Sequence, residues 1–468
     1  MNLTPEQQAI LNGEKGEVLA KVMKTLVMYG DAFGAEKLVP VTSKYGHTVI
    51  SFGINTMKPV YDLYDQLLAS GVKFQQKFTA DPLPLDPNVP SNLLQDLVFK
   101  QFMYKLQPRY EEQLRRMGMK DEKDFTCACY FDEVGNIPEK GEVLSWAESS
   151  AVVYANSVLG ARCNRNSGII DVMGSMLGYV PYFGLLTDEG RKATWVVEVK
   201  TTKKPEAQLL GSAIGMKVME DVPYIRGLDA WLGTELNKDN RAYLKDFGAA
   251  TASNGAVGLY HIEHLTPEAV EQGDALIAPG AQVYVVDDAE LERVKASYPV
   301  IWKNPNAKPK LAFIGCPHLT MDQLIDWTKK LEEGLKAAGR DKLAVPTVLT
   351  TAPPVLEEFN KGPYAYRLKK TGAILSYICP LMYMNNPLSK SMPVITCSNK
   401  LRTYLGEVLF RGRDRRHHHR KGDQITWRKR SRAALSFPAP SRPKLSFPTA
   451  ASTRLQATSP RSCLATRT

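Results

Sequence analysis

The sequence predicts an α/β protein whose sheets are mostly parallel and flanked by helices. From Lys310 onward, apolar runs typical of buried strands alternate with segments of helical periodicity, which indicates a parallel sheet with helices on its faces. The 468 residues, 44% of them hydrophobic, are enough for a large core in two or more subdomains. The predicted elements of this type are strands 194–202, 281–287, 311–315, 343–351 and 373–378, a strand ending near Cys397, and helices 205–222, 288–298, 320–338 and 353–360.

The first 160 residues are predicted to be mainly helical, with a few short strands. Thr4 and Pro5 open a helix that should run to residue 30, and Gly160 should end a strongly apolar helix as its C-cap. The other predicted elements are two strands with a polar loop between them in 38–53, helices 57–70, 93–120 and 146–160, a Pro-rich loop at 80–92, and a short strand at 125–130.

The net charge of +11 is carried by the end of the chain. Of the 60 basic and 49 acidic residues, 15 and 2 follow Phe410, so residues 1–410 have a net charge of −2 and give no reason to expect nucleic acid as a partner. The segment 407–468 is rich in Arg, Ser and Pro and has no helical or strand period, so we expect disorder and no catalysis there. We favour an out-of-frame translation for this tail, and a basic binding arm is the alternative.

The cellular compartment is predicted from what the sequence lacks. The first residues do not resemble a signal peptide, and no apolar run approaches the ~20 residues of a membrane span. Seven widely spaced cysteines do not resemble a secreted disulfide framework. We therefore expect a cytoplasmic protein that does not bind membranes.

Two cysteines are predicted at the carboxyl ends of strands in one α/β domain. Cys316 follows the strand 311–315 and precedes a capping box of Thr320 and Gln323, and Cys379 follows the strand 373–378. Ligands bind at this edge of open α/β sheets, and nearby helix N-termini favour a thiolate. The alternative for each cysteine is a small buried hydrophobic residue.

A second pair of cysteines, Cys127 and Cys129, lies far upstream in the sequence. Cysteines that converge from distant segments, without zinc-finger spacing, suit an iron–sulfur cluster with one open iron position. Spacing alone does not prove convergence, so zinc binding and a redox disulfide remain alternatives.

Polar residues in and after the predicted helix 146–160 suggest a site for an anionic ligand. Ser149 and Asn156 share one helix face, and Arg162 and Arg165 follow the helix. The alternative is that the serine and the asparagine bond to the local backbone while the arginines lie on the surface.

The stretch 141–168, GEVLSWAESSAVVYANSVLGARCNRNSG, resembles the aconitase X family, which includes phosphomevalonate dehydratase large subunits and cis-3-hydroxy-L-proline dehydratases. Three further stretches fit that family, YGDAFGAEKLVPVTS (29–43), GCPHLTMDQL (315–324) and ICPLMYMNNP to ITCSNKLRTY (378–404). The resemblance covers residues 1 to about 406. It implies an aconitase-like fold of several subdomains and a hydro-lyase that removes water from a small hydroxylated carboxylic acid. It also implies an iron–sulfur cluster held by three cysteines, and a smaller swivelling domain that is a separate subunit in many members.

The resemblance also implies roles for individual residues. Cys316 and Cys379 match two metal-ligand positions, and counting back seventeen residues from Trp146 gives Cys129 as the third, with Cys127 as runner-up. Beside the resemblance, the chemistry of the residue types suggests Ser149 and His47 as catalytic residues, with a structural histidine as the alternative for His47, and Ser150, Asn156, Arg162, Asn164 and Arg165 as substrate-binding residues. His318, next but one to Cys316, is expected to hydrogen-bond near the cluster.

Departures from the family pattern leave the substrate open. Val143 stands where the family usually has His, Cys163 where it has Thr, and Tyr130-Phe131-Asp132 follow the cysteine that the family continues as Thr-Pro-Tyr. A phosphomevalonate-type substrate with a mevalonate-pathway role and a hydroxyproline-type substrate are both open. An inactive truncated subunit and a basic-tailed binding protein are the remaining alternatives.

Overall fold

The computed structural model of the chain describes residues 1–49, 54–298, 306–385 and 392–411, with the single positions 302, 304, 388 and 389. Met1–Arg413 form one compact unit. The predicted disordered tail, 407–468, lies outside the described residues from 412 on, and the prediction was wrong for 407–411, where the backbone continues a helix. Among the described helices, none has both the length and the apolar character that crossing a bilayer requires.

The described part of the chain alternates helices and short strands. The helices are α1 Pro5–Leu11, α2 Glu17–Ala32, α3 Lys58–Ala69, α4 Leu93–Leu97, α5 Gln107–Met117, α6 Ser149–Tyr154, α7 Gly168–Leu177, α8 Ala207–Val218, α9 Asp229–Leu232, α10 Lys238–Asn254, α11 Pro267–Gln272, α12 Asp288–Ala296, α13 Met321–Ala337, α14 Pro353–Lys361, α15 Pro363–Lys370, α16 Pro380–Met384 and α17 Asn399–Arg411. The strands are β1 Leu38–Pro40, β2 Tyr45–Thr48, β3 Lys77–Ala80, β4 Tyr179–Pro181, β5 Ala193–Lys200, β6 Pro223–Arg226, β7 His261–Ile262, β8 Ile277–Asp287, β9 Leu311–Leu319, β10 Thr347–Thr351, β11 Ile374–Ser376 and β12 Val394–Thr396.

The predicted α/β class with mostly parallel sheets is confirmed. Two four-stranded sheets, in the orders β7-β6-β5-β8 and β11-β10-β9-β12, are parallel throughout, and the β2–β3 pair is also parallel. Among the described strands, the β1–β4 pair alone is antiparallel. Parallel strands end at the same edge, so β9 and β11 place the residues that follow them on one side of their sheet.

Several predicted helices are shorter than expected because glycine or an irregular turn interrupts them. The helix predicted over 4–30 is split into α1 and α2, with Gly13 and Gly16 between them at φ of +91° and +99°. The helix predicted over 93–120 is also divided, into α4, a π-helical segment Val98–Met103, and α5. The strand predicted at 125–130 is reduced to one bridge between Ala80 and Phe125.

The strand that carries Cys316 continues past its predicted end through a bulge. Backbone pairs join Ile314 to Leu349 and Leu319 to Thr351, so residues 315–318 of β9 oppose a single residue of β10. Gly315 begins the bulge with φ +105°, and a Cβ atom there would lie 2.5 Å from the backbone oxygen of Thr350. Glycine is therefore required, and Cys316 lies within a bulged strand rather than after its end.

Candidate active site

A cavity of about 270 Å³ lies beside the bulge of β9 and the turn that follows β11. Its position agrees with the general preference for ligands at the carboxyl ends of parallel strands. The residues that line it are Val49, Asp81, Pro82, Cys127, Ala147, Glu148, Ser149, Gly315, Cys316, His318, Cys379, Pro380, Leu381, Met382, Lys400 and Tyr404.

Three cysteines from separate segments meet at this cavity, and the upstream one is Cys127 rather than Cys129. The chain bends at Cys127 and turns at Cys129, so the two side chains diverge. Cys129 is fully buried beside the ring of His47 and does not line the cavity. The structure thus brings together Cys127, Cys316 and Cys379, and it places the preferred third cysteine of the sequence prediction behind the cavity wall.

His318 joins the segments of the three cysteines. Its Nε2 lies 3.3 Å from the carbonyl oxygen of Ile378 and its Nδ1 lies 2.9 Å from Oγ1 of Thr126, while its backbone N–H donates to Sγ of Cys127 at 3.5 Å. Because a carbonyl oxygen only accepts, Nε2 carries the proton and Nδ1 accepts from the threonine hydroxyl. Burial lowers the pKa of His318 to about 3, so the ring is neutral and acts as a brace.

The three thiols fit a polynuclear metal group better than a single ion. Four ligand atoms around one Zn²⁺ lie roughly 3.8 Å from each other, given a Zn–S bond of about 2.3 Å. The three cysteine sulfurs do not all lie within 4.8 Å of one another. Among the described residues, potential ligand atoms are that close together at Asp229, Glu263 and His264, in another part of the fold. Soft thiolate donors spread more widely suit an iron–sulfur cluster, whose irons bind different cysteines.

Of the three cysteines, Cys316 is buried and Cys127 and Cys379 are half-buried, and all three thiols are protonated. Burial raises the pKa of Cys316 and of Cys127, and it raises the pKa of Cys379 to about 12. The charge of the Cys316 thiolate would raise the pKa of each of the other two further, so the three thiols lie close enough to interact. These thiols are neutral at physiological pH unless a metal binds them.

A buried ion pair that the sequence did not predict forms one wall of the cavity. Nζ of Lys400 lies 2.6 Å from Oε1 of Glu148 and 3.1 Å from Oγ of Ser150, and Ser150 donates to the other carboxylate oxygen at 2.6 Å. Burial opposes both charges, yet the pKa of Glu148 is lowered and that of Lys400 raised because each stabilises the other. Described residues accept from two of the three N–H groups of Lys400, and among these residues none accepts from the third, which suits a ligand.

Glu148 is also the N-cap of α6, which fixes its position. Its Oε2 accepts the backbone N–H of Ala151 at 2.6 Å, so the carboxylate caps the helix while it faces Lys400. Ser149, the first residue of α6, lines the cavity beside it, and Ser150 lies behind it within the ion pair. The two predicted serines are thus both at the site.

The predicted catalytic His47 lies behind the cavity and contacts it through Asp81. Nδ1 of His47 lies 2.9 Å from Oγ1 of Thr79, which also accepts from Asn136 and faces the carbonyl of Gly46, so His47 must donate there. Nε2 is left 3.5 Å from Oδ1 of Asp81, and neither atom has another hydrogen-bond partner among the described residues.

The charges of this pair follow from that arrangement. Burial alone would lower the pKa of His47, but its interactions with Cys129 and with the Asp81 carboxylate outweigh burial and raise the pKa to about 10. Burial raises the pKa of Asp81 to about 6 while His47 opposes the rise. At neutral pH Asp81 is therefore an ionised carboxylate on the cavity wall, supported from behind by a charged imidazole.

Three of the predicted substrate-binding residues are engaged by the protein itself. Asn156 donates to the carbonyls of Cys163 and Gly258, and its Oδ1 accepts from Cys163, so its amide is used in holding two loops together. Asn164 donates to one carbonyl of the neighbouring segment 183–185 and accepts a backbone N–H from it. Arg162 binds the exposed carboxylate of Asp188. The structure does not bring these three side chains to the cavity.

Arg165 lies closer to the site than the other predicted arginine. It is half-buried, it donates to the carbonyl oxygen of Ala252 at 3.4 Å, and the carboxylate of Glu148 acts on its guanidinium. Burial lowers the pKa of Arg165, but the group stays charged. It is a second cation behind the wall that carries Lys400.

The fold and the cavity together define an α/β enzyme with an active site at the carboxyl edge of a parallel sheet. Comparison with known proteins gives the family. Residues 1–189 match the model of the aconitase X first domain, and residues 193–296 match that of the aconitase X second domain. The chain belongs to the aconitase X family and is a hydro-lyase of the dehydratase type, as the resemblance implied.

Individual relatives and a solved structure agree with this assignment. The chain is 32% identical over 356 residues to the phosphomevalonate dehydratase large subunit of Thermococcus kodakarensis, spanning 75% of this chain and 81% of that one. It is 28% identical over 341 residues to the cis-3-hydroxy-L-proline dehydratase of Hypocrea jecorina, spanning 69% of this chain and 52% of that one. The crystal structure of Thermococcus kodakaraensis aconitase X in its holo-form matches with a TM-score of 0.70 and 28% identity, covering 87% of this chain and 95% of that one.

Proposed function

We propose that the chain is the large subunit of a hydro-lyase that removes water from a small hydroxylated carboxylic acid with the help of an iron–sulfur cluster. The observation that carries this proposal is the meeting of Cys127, Cys316 and Cys379, from three segments, at one cavity that also contains a buried ion pair. When bound there, a cluster with one open iron would supply a Lewis acid for the leaving hydroxyl.

The chain's own residues would bind and orient the substrate. The free N–H of Lys400 suits a carboxylate oxygen, with the hydroxyl of Ser149 beside it as the proposed catalytic contact, and Arg165 adds positive charge from behind. Glu148 holds Lys400 in place and keeps it charged. The apolar side chains of Leu381 and Met382 cover another side of the cavity and exclude water from it.

We further propose that the chain works with a smaller subunit that carries a swivelling domain, in a reducing cytoplasm. Relatives of which it spans about 80% are named large subunits, and the name implies a partner. The free cysteines of the cavity suit a compartment in which thiols stay reduced. Substrates of the phosphomevalonate and hydroxyproline types both satisfy the proposal, because the names of the relatives include both.

The test is the iron and acid-labile sulfide content of protein purified without oxygen. Wild-type protein should contain both, and the variants Cys127→Ala, Cys316→Ala and Cys379→Ala should each lose them. Cys129→Ala is the matched control, because it removes a neighbouring thiol that does not line the cavity. Stoichiometric zinc without iron in the wild type would contradict the cluster. Iron loss in Cys129→Ala with retention in Cys127→Ala would reverse the ligand assignment.

A further inference from the structure

A buried lysine that does not line the active-site cavity holds the backbone of His318. Lys245, in α10, is 1% exposed, and its Nζ donates to the carbonyl oxygen of His318 at 2.9 Å and to Oδ1 of Asp246 at 2.7 Å. A buried ammonium is costly, and a neutral donor would satisfy one carbonyl oxygen equally well. A lysine at this position therefore needs an explanation beyond packing.

The ion pair of Lys245 and Asp246 is tied to the start of α13. Oδ2 of Asp246 accepts from Nε2 of Gln323 at 2.7 Å, and Oε1 of Gln323 accepts the backbone N–H of Thr320 within the capping box. These bonds join α10 to the residues that directly follow the bulge of β9. Lys245 therefore has a fixed position relative to the bulge.

The backbone of His318 links Lys245 to the cysteines. Its N–H donates to Sγ of Cys127, its carbonyl oxygen accepts from Lys245, and Cys316 lies two residues before it in the same bulge. The bond from Lys245 resists a shift of the bulge, because α10 would have to move with it. The charge of the lysine also acts on this part of the site, since burial raises the pKa of Cys316 while Lys400 and Lys245 oppose that rise.

We infer that Lys245 is a positioning residue for the metal ligands: it holds the backbone of His318, so that the N–H of His318 stays on Sγ of Cys127 and the bulge keeps Cys316 at the cavity. The inference rests on the proposed function, because it assumes a cluster bound to the cysteines. Groups that orient metal ligands from behind affect metal affinity, and hydrogen bonds to ligand sulfurs affect the reduction potential of an iron–sulfur cluster. Lys245 therefore influences both properties without contacting the substrate.

The test uses the full chain, purified without oxygen, and its variants Lys245→Met and Lys245→Arg. A ferrous chelator should remove iron from Lys245→Met about tenfold faster than from the wild type, the lower end of the effect expected for a residue behind the ligands. The reduction potential of the remaining cluster should be lower, by up to about 59 mV, the one-electron equivalent of a tenfold change. Lys245→Arg should behave like the wild type, because a cavity of about 180 Å³ beside the lysine has room for the larger guanidinium.

A double variant separates the hydrogen bond from the ion pair. Lys245→Met alone leaves Asp246 without its cation, whereas Lys245→Met with Asp246→Asn removes both charges and replaces the single variant if that one fails to fold. The double variant still lacks the donor to His318, so it should release iron as fast as Lys245→Met does. Release at the wild-type rate from the folded double variant would assign the effect to the unpaired carboxylate and would overturn the inference.

The control is Lys238→Met, which removes an exposed lysine from the first turn of the same helix and should change neither iron release nor potential. A purely structural lysine would lower the thermal stability of Lys245→Met and leave the potential of its cluster unchanged. Iron release and a potential equal to those of the wild type in folded Lys245→Met would therefore overturn the inference and leave the hydro-lyase proposal intact. Wild-type protein without iron and sulfide would contradict the proposed function itself, and the inference with it.

Discussion

Replacing Lys400 with methionine tests the most consequential feature that the structure added to the site. The two side chains of the pair are 8% and 7% exposed, so Lys400→Met would leave the Glu148 carboxylate buried without its cation. Breaking a buried pair in this way costs about 3–5 kcal/mol, because the remaining charge loses its compensation and stays out of water. Ser150 and the N–H of Ala151 still bond to the carboxylate, which favours the lower half of that range.

The assay is urea unfolding, monitored by tryptophan fluorescence, of wild type, Lys400→Met, Glu148→Gln and the double variant. The midpoint of Lys400→Met should fall by about 1 M urea, which is a loss of about 3 kcal/mol divided by an m-value of about 3 kcal/mol per M. The double variant should lose less stability than the two single losses together, by about 1–3 kcal/mol, because it has no unpaired charge. Lys21→Met, which removes the lysine of an exposed pair with Glu17, is the control and should leave the midpoint unchanged.

The stability lost in Lys400→Met should depend on pH, because the pKa of Glu148 is shifted in opposite directions in the two proteins. In the wild type this pKa lies below its ordinary value of 4.5, so the contribution of the pair is present above pH 4.5 and is lost as the pH falls through the folded-state pKa. Without Lys400, burial outweighs the hydrogen bonds from Ser150 and Ala151 and raises the pKa of Glu148 above 4.5, so the folded variant takes up a proton and gains stability as the pH falls. The difference between the two proteins should therefore narrow from pH 8 towards pH 5. A constant difference, or additive losses in the double variant, would refute the reasoning.

Three further outcomes are expected from single substitutions. Gly315→Ala should lower stability by about 2 kcal/mol or more in urea unfolding, whereas Gly339→Ala, at φ +60° with nothing within 4 Å of its Cβ position, should cost about 1 kcal/mol. Asn156→Ala should lower stability by about 2 kcal/mol and leave KM unchanged in a dehydration assay, because its amide holds loops and not substrate. Arg165→Met should raise KM while Arg162→Met should not, and equal KM values for the two variants would show that neither arginine acts on the substrate.

The sequence predicted the features of the site that depend on local patterns. The apolar runs before Cys316 and Cys379 identified two strands, and the parallel order of those strands then placed both cysteines at one edge of the sheet. The capping box of Thr320 and Gln323 likewise fixed the start of α13, and both of its hydrogen bonds are present. An apolar run or a capping box involves only a few neighbouring residues, so it can be recognised in the sequence without knowledge of the fold.

The features that were missed depend on contacts between distant segments. Glu148 and Lys400 are 252 positions apart, and nothing in either local sequence indicates the other. Cys127 and Cys129 lie in a bend and a turn, where the sequence has no apolar periodicity that would show which side chain faces the cavity. Counting back from Trp146 selected Cys129, which lies beside His47 instead of lining the cavity. A signal was nonetheless available for Glu148, since an acidic residue before a strongly apolar helix is a recognisable N-cap.

His318 links the three segments that bring Cys127, Cys316 and Cys379 to one cavity. Its neutral ring bonds to the segments before Cys127 and Cys379, and its own strand carries Cys316, so the folded protein sets the sulfur positions. The thiols are protonated, because burial raises each pKa, and neutral thiols do not repel one another. If the proposed cluster binds here, it would have to displace protons from groups that are already in place, so the loss of thiol protons would be a cost of loading the site. Since these segments are brought together only by folding, a metal group that bound all three thiols would stabilise the folded unit as a whole.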